Sequence, residues 1–426
     1  MRTMILGGGL AGLTAAATLE GDVLVLEAEE TAGGLCRSFS FAGRQCDYGP
    51  HILFSKNKAA LDFLLSLSDT EQRRRSNKIF HKGRLVKYPF ENQLSALDPE
   101  ERDYCLSEFL KNPYSAYPAE NMLQFFLKTF GEGITRTYLQ PYNEKIWKLD
   151  PSFMDTQMME RIPRPPEEDI IRSARGEETE GYLHQLYFNY PKNGGMASLI
   201  DGLARRCGER VRIKTGAKAL SLRKNGDVWI AETASGTFEA DRVVSTIPIH
   251  ELSKIYSGLP QAMTDKLLCN SIHLAMLHVK ENRLGDNYAL YFADRNTIFH
   301  RLSRPAFLGP AYAPEKGDTV MAEITFRHGS ALADVPPENV LRRTEEDFIR
   351  LGFADRDGII SSEIRTAPYA YVIYDLDHRL NTDAALSLLR EQGVYSCGRF
   401  AEFEYLNTDA VVARALKLTT ELNDNA

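Results

Sequence analysis

Thr3-Met4-Ile5-Leu6-Gly7-Gly8-Gly9-Leu10-Ala11-Gly12 joins a short apolar strand to an alanine-rich helix that runs to about Leu19. Gly7, Gly9 and Gly12 fit the spacing G-x-G-x-x-G. The first glycine permits a tight turn, the second lets the backbone approach a pyrophosphate, and the third lets helix and strand pack closely. The helix amino terminus then offers free N–H groups and a favourable dipole to phosphate. Such a turn on its own also serves merely to connect a strand to a helix. Its surroundings decide: Asp22-Val23-Leu24-Val25-Leu26-Glu27 is a second strand ending in an acid, 20 positions after Gly7. A carboxylate there can accept hydrogen bonds from ribose hydroxyls. The segment is expected to bind a dinucleotide.

The chain of 426 residues is too long for one small core, so two or three subdomains are expected. Its 43% hydrophobic and 26% charged residues are ordinary for a globular protein. A net charge of -7 argues against a nucleic-acid partner, which requires a concentrated basic face. The densest basic run, Arg73-Arg74-Arg75, reads as a solvated turn or helix face rather than a binding patch. No apolar stretch approaches the ~20 residues of a membrane span. Met4-Ile5-Leu6 runs into glycines and lacks a signal-peptide cleavage region. The six cysteines are scattered with no CxxC pair, so neither a metal site nor a disulfide framework is expected. A cytoplasmic location is the default expectation.

Further along, residues 98 to 135 lean helical, with apolar spacing from Tyr104 to Leu110 and from Met122 to Phe130. Pro163 to Glu180 is rich in proline, arginine and glutamate and reads as an exposed loop. Strand patterns follow at Val211 to Lys214, Val228 to Ile230 and Arg242 to Ile247, with Asn225-Gly226 as a hairpin turn. Alternation resumes at His273 to Val279, Tyr288 to Phe292 and Thr319 to Phe326, which suggests a second sheet. A last strand ends in Gly398-Arg399 and leads into a helix from about Thr408 to Leu422.

After the acidic strand comes Ala32-Gly33-Gly34-Leu35-Cys36-Arg37. A glycine pair followed by arginine resembles the second phosphate-contacting segment of glutathione-reductase-type FAD proteins, a group that includes amine oxidases, protoporphyrinogen oxidases and UDP-galactopyranose mutases. The resemblance implies FAD held by Gly7, Gly9, Gly12, Glu27, Gly33, Gly34, Leu35, Arg37, Ala219, Arg399 and Asp409, with Arg37 otherwise a surface charge. It implies an α/β fold: a glutathione-reductase-type FAD-binding Rossmann domain, an inserted helical subdomain and an antiparallel-sheet substrate domain. The expected parts are 1–70, 186–250 and 386–426 for the FAD domain, 71–185 for the mostly helical cap and 251–385 for the substrate sheet.

Three segments narrow the resemblance. Tyr48-Gly49-Pro50-His51-Ile52-Leu53-Phe54 is similar to a segment of bacterial UDP-galactopyranose mutases. Tyr88-Pro89-Phe90-Glu91-Asn92 is similar to a segment of the eukaryotic ones, and so is Gln140-Pro141-Tyr142-Asn143-Glu144-Lys145-Ile146-Trp147. The carboxy-terminal half supplies cations and phenols suited to a diphosphate: Tyr291 with Arg301, Tyr371 among neighbouring tyrosines, and Arg399 with Tyr405. Each of these tyrosines has an ordinary reading as half-buried packing and each arginine as a surface ion pair. The resemblance implies substrate contacts from Tyr88, Phe90, Glu91, Asn143, Trp147, Asn189, Tyr291, Arg301, Tyr371 and Tyr405, with His51, Arg301 and Arg399 at the reacting centre. His51 reads as a positioning or outlying group rather than a proven base, and Trp147 equally as core packing.

The implied activity is a nucleotide-sugar pyranose/furanose mutase in which reduced FAD uses N5 as a nucleophile on the anomeric carbon, with no net redox change. An oxidase or dehydrogenase of the amine oxidase or protoporphyrinogen oxidase type is the alternative, and a non-catalytic flavoprotein the third reading. Two departures bear on substrate. Phe188-Asn189-Tyr190-Pro191 lacks the arginine of the eukaryotic mutases, unless Arg172 or Arg175 substitutes, and Glu91 stands in place of a glutamine facing uracil. Read as a carboxylate, Glu91 would only accept hydrogen bonds and so change base preference. No separate NAD(P)H motif is visible, so NAD(P)H would share the cleft or a protein would act as reductant.

Overall fold

The computed structural model describes residues 1–162, 164–180 and 186–425. Five strands form a wholly parallel sheet in the order Val394–Ser396, Arg242–Ser245, Arg2–Leu6, Asp22–Leu26, Val211–Lys214. The central strand is covered on both faces, which explains its unbroken apolar run: Met4, Ile5 and Leu6 are all buried. The helix Leu10–Thr18 follows it and packs against Thr408–Asp424 and Ala197–Cys207. A three-stranded antiparallel hairpin sheet, Ala219–Asn225, Val228–Thr233 and Gly236–Ala240, turns at the expected Asn225-Gly226.

The second large sheet has seven strands in the order Ile359–Val372, Cys269–Val279, Asp318–Arg327, Arg301–Ser303, Ala289–Tyr291, Asn77–His81, Arg84–Lys87. It is antiparallel except where Ala289–Tyr291 pairs in parallel with Asn77–His81. The segment expected to be mostly helical therefore also lends two strands to this sheet. Its helices Pro99–Leu110 and Met122–Ile134 lie where the apolar spacing leans helical, and they pack on each other.

The expected exposed loop after residue 163 is corrected in part. Pro163 and residues 181–185 lie outside the described residues, but Glu167–Ala174 is a helix. Three acidic residues in its first turn complement the helix dipole. Ile170, Ser173 and Ala174 form a narrow buried face against the turn Phe90–Ala96, and Ser173 Oγ donates to the Glu91 carbonyl at 2.7 Å. Composition hid this face, because only three of the helix's positions are buried. No described helix is long and apolar enough to cross a membrane.

Candidate active site

A cavity of about 1100 Å³ opens between the parallel sheet and the seven-stranded sheet. At one part of its wall the glycine-rich turn is built as its spacing requires. Gly7 has φ +98°, a left-handed conformation that glycine tolerates. A Cβ on Gly12 would lie 2.0 Å from the Gly7 carbonyl oxygen, so the close approach of helix to strand depends on its absence. A Cβ on Gly9, by contrast, would meet nothing nearer than 3.8 Å and would only narrow the cavity. The helix Leu10–Thr18 has no side-chain cap and no acid in its first turn, so its leading N–H groups remain for an anion.

Glu27 lines the same wall. Its Oε2 accepts from Gly8 N–H at 2.7 Å and its Oε1 from Glu29 N–H at 2.9 Å. Each oxygen keeps a further lone pair for a ribose hydroxyl. Gly33, Gly34, Leu35, Arg37 and Ala219 also line the cavity. Arg37 donates from Nε to the Gly34 carbonyl at 3.1 Å and pairs with Glu29 at 3.0 Å, which fixes its guanidinium beside the turn. These residues fit a dinucleotide. Asp409 does not line the cavity; its carboxylate accepts from the Ser55 hydroxyl, and Asn407 and Thr408 line the wall instead. Gly12 acts only through packing.

The cations and phenols expected around a diphosphate do converge on this cavity: Tyr291, Arg301, Tyr371, Arg399 and Tyr405 all line it. Arg301 sits on a short strand directly across from Glu323, and the register makes them partners. Nε and Nη2 of Arg301 donate to the two carboxylate oxygens at 2.5 and 2.6 Å. Glu323 is 1% exposed. Replacing it by alanine leaves Arg301 as an uncompensated charge in a low-dielectric wall, so Glu323→Ala is expected to lower unfolding stability by about 3–5 kcal/mol, read from the denaturant midpoint.

Arg399 has a different setting. It donates to the carbonyls of Ala370 (2.7 Å) and Leu406 (3.2 Å), its guanidinium lies 4.1 Å from the Tyr405 ring centroid, and among the described residues it forms no ion pair. Tyr371 and Tyr405 stack at 5.9 Å, and Trp147 meets both rings edge-on. Trp147 Nε1 donates to Asn143 Oδ1 at 2.9 Å, so the two residues expected at the sugar side orient each other on the helix Gln140–Trp147. His51 is half-buried on the cavity wall that Arg301 and Arg399 also line. Burial first, then the charges of Arg399 and Arg301, push its imidazole down to about 4. It is neutral at neutral pH, which suits a positioning group and not an acid.

Tyr88, Phe90 and Glu91 line the cavity with Tyr138 and Tyr142. Phe90 stacks on Tyr138 at 4.9 Å and Tyr138 on Tyr142 at 5.4 Å, giving a wall of flat apolar faces. Glu91 is 1% exposed, and burial pushes its carboxyl up to about 8 against the pull of its own backbone N–H. The expectation of an acceptor-only carboxylate is therefore corrected: at pH 7 the group is a protonated acid with one donor and one acceptor.

Asn189 is also corrected. It lies on the strand Tyr187–Pro191, paired with Gln72 and bridged to Leu53, and does not line the cavity. Neither Arg172 nor Arg175 reaches the cavity; Arg172 is held by Glu177 at 2.8 Å and Asp169 at 3.6 Å, and Arg175 is exposed. A further arginine lining the cavity is Arg75, which follows the neighbouring strand Thr70–Arg74 and lies 5.4 Å from the Phe54 ring centroid. The arginine run read as a solvated patch thus ends inside the site. Only the pairing of Thr70–Arg74 with Tyr187–Pro191, two segments far apart in sequence, could have revealed it.

A dTDP-fucopyranose mutase from Escherichia coli is 24% identical over a match covering 45% of this chain and 54% of that protein. The chain thus spans about half the length of this curated relative. Among solved structures, a reduced UDP-galactopyranose mutase superposes with a TM-score of 0.90 at 22% identity, covering 100% of this chain and 94% of that one. A cyclohexylamine oxidase from Brevibacterium oxydans superposes with a TM-score of 0.69 at 15% identity, covering 100% and 99%. At these identities the likeness bears on the fold, which a mutase and an oxidase share. The model of the flavin containing amine oxidoreductases matches residues 10–399, from the glycine-rich turn to the last arginine of the cavity. The cofactor is a flavin, and this chain belongs to that family.

Proposed function

We propose that this protein is an FAD-dependent mutase that interconverts the pyranose and furanose forms of a nucleotide-linked sugar. The observation that carries the reading is the meeting of Arg301, Arg399, Tyr291, Tyr371 and Tyr405 on the cavity that also holds the glycine-rich turn. When bound and reduced, FAD supplies a nucleophilic N5 for the anomeric carbon and ends the cycle reduced. The protein's own part is to hold and discharge the leaving group. Arg399 brings an unneutralised cation to the diphosphate, and Arg301 brings a guanidinium whose direction Glu323 fixes. Burial pushes the Tyr371 phenol up, so it stays protonated and can donate to phosphate oxygen. The Asn143–Trp147 pair and the neutral His51 confine the sugar between the clamp and the cofactor.

The family also holds amine oxidases. An ammonium or protonated amine would meet Arg75, Arg301 and Arg399 on the same wall, and the charge of two of these already depresses His51. That electrostatic setting supports an anionic substrate. The test is to incubate dithionite-reduced protein with UDP- and dTDP-linked hexopyranoses and hexofuranoses and separate the nucleotide sugars by chromatography. Interconversion of ring forms is the expected result. Hydrogen peroxide formed stoichiometrically from an amine or a porphyrinogen, with no isomerisation, would support the oxidase instead. NAD(P)H entering the same cleft, or a protein donor, is the proposed source of electrons.

A further inference from the structure

The parallel pairing within the seven-stranded sheet brings a residue from the first part of the chain beside the clamp. Asn77–His81 runs alongside Ala289–Tyr291, with Asn77 opposite Ala289 and Ile79 opposite Tyr291. Side chains two apart on a strand share a face, so Asn77 and Tyr291 lie on the same side of the sheet. Arg301 is opposite Tyr291 on the next strand and joins them there. Asn77, Tyr291 and Arg301 all line the cavity.

Asn77 is 9% exposed, and the two ends of its amide are in different situations. Nδ2 donates to Tyr291 Oη at 3.1 Å. Oδ1 is buried and forms no hydrogen bond among the described residues. Each end has a consequence. A phenol has one proton to give, and its O–H prefers the plane of the ring, which leaves it two settings. The Tyr291 ring is itself held, 5.1 Å from the Tyr88 ring and 5.8 Å from the Tyr142 ring. With Asn77 donating from one side, the Tyr291 proton is turned to the other and is kept for a ligand acceptor.

The second end calls for a donor. A buried carbonyl oxygen left without one is costly, and on a cavity wall it is matched by a ligand that supplies one. An ionised diphosphate has no proton to give, and an ammonium would be repelled by Arg75, Arg301 and Arg399 on the same cavity. The donor must also lie next to the diphosphate, because Tyr291 Oη is only 3.1 Å from Asn77 Nδ2. In a nucleotide sugar the groups flanking the diphosphate are the ribose and the sugar, and both carry hydroxyls.

We propose that Asn77 binds and orients the substrate at once: Nδ2 aims the Tyr291 proton at the diphosphate, and Oδ1 accepts from a hydroxyl of the ribose or sugar beside it. The proposal rests on the nucleotide-sugar reading and adds to it a residue that couples diphosphate and hydroxyl recognition.

The test is calorimetric titration of the oxidised, FAD-loaded protein with inorganic pyrophosphate, UDP, dTDP and UDP- and dTDP-linked hexopyranoses. Asn77→Leu is close in shape and removes both polar ends. It should weaken pyrophosphate about fivefold, the size of one hydrogen bond, and this loss should vanish when Tyr291→Phe is already in place. Ligands bearing the recognised hydroxyl should lose about a further fivefold, which Tyr291→Phe does not abolish because it belongs to Oδ1. A ribose hydroxyl would give that further loss with nucleoside diphosphates and sugar conjugates alike, a sugar hydroxyl with the conjugates only. A merely structural Asn77 would weaken every ligand equally in both Tyr291 backgrounds. That result, or the absence of either part of the loss, would overturn the proposal and leave the mutase reading standing. Should Asn77→Leu fail to fold, Asn77→Ala removes the same groups and carries the same expectations. Binding of pyrophosphate but of no nucleotide or conjugate would remove the nucleotide-sugar reading, and this inference with it.

Discussion

Arg399→Ala is expected to lower kcat/KM for the nucleotide sugar, per bound flavin, by about 10²–10³. The size follows from how the two clamp arginines differ. Arg301 is bidentately neutralised by Glu323, so it contributes direction more than net charge. Arg399 is held by the carbonyls of Ala370 and Leu406 and lies over the rings of Tyr405, Tyr371 and Phe400, with no ion pair among the described residues, so its charge is available to the departing diphosphate. Arg399→Lys should recover only part of the loss, because an ammonium keeps the charge but not the planar fork. A second readout separates electrostatics from collapse of the site. Arg399 is the larger of the two charges that add to burial in depressing His51, so its removal should let the imidazole rise from about 4 toward its ordinary range. Proton NMR of the His51 ring across the acid range measures this. An unmoved His51 with lost activity would point to a structural defect.

The second large effect is at the cofactor. Gly12→Ala places a methyl group 2.0 Å from the Gly7 carbonyl and 3.0 Å from Thr246 Oγ1, contacts that rigid backbone cannot accommodate. The helix Leu10–Thr18 must back away from the turn, and its uncapped N–H groups move with it. Overpacking of this kind costs about 1–3 kcal/mol in stability. Phosphate binding at the helix end suffers more, because it depends on N–H groups held in place. The variant should purify with little flavin, measured as the ratio of flavin to protein absorbance. Gly8→Ala is the control, since its Cβ would meet only side-chain atoms at 3.1–3.3 Å and should retain most flavin.

What the sequence made legible was local. The turn at Gly7 to Gly12 and the strand ending in Glu27 form within one short stretch, where spacing alone constrains geometry. The clamp residues were legible only through resemblance, yet they do share one wall. What stayed hidden depends on register and burial. Glu323 is opposite Arg301 because two antiparallel strands align there, and no local pattern marks it. Arg75 enters the site through the pairing of Thr70–Arg74 with Tyr187–Pro191. Glu91 reads as a charge until its surroundings are known, and burial reverses that reading. The long strand Ile359–Val372 gave no strand signal because it is an edge strand, half exposed and interrupted by Pro368.

The central claim, that the flavin turns substrate over without net oxidation, is tested most directly by counting turnovers against redox equivalents. Anaerobic, stoichiometrically reduced protein would be mixed with excess UDP- or dTDP-linked sugar while flavin absorbance and ring-form composition are followed together. Many equivalents should be isomerised per flavin with the flavin still reduced, and none with oxidised protein. Reoxidation of the flavin in step with substrate consumed, or equal isomerisation by the oxidised protein, would contradict it.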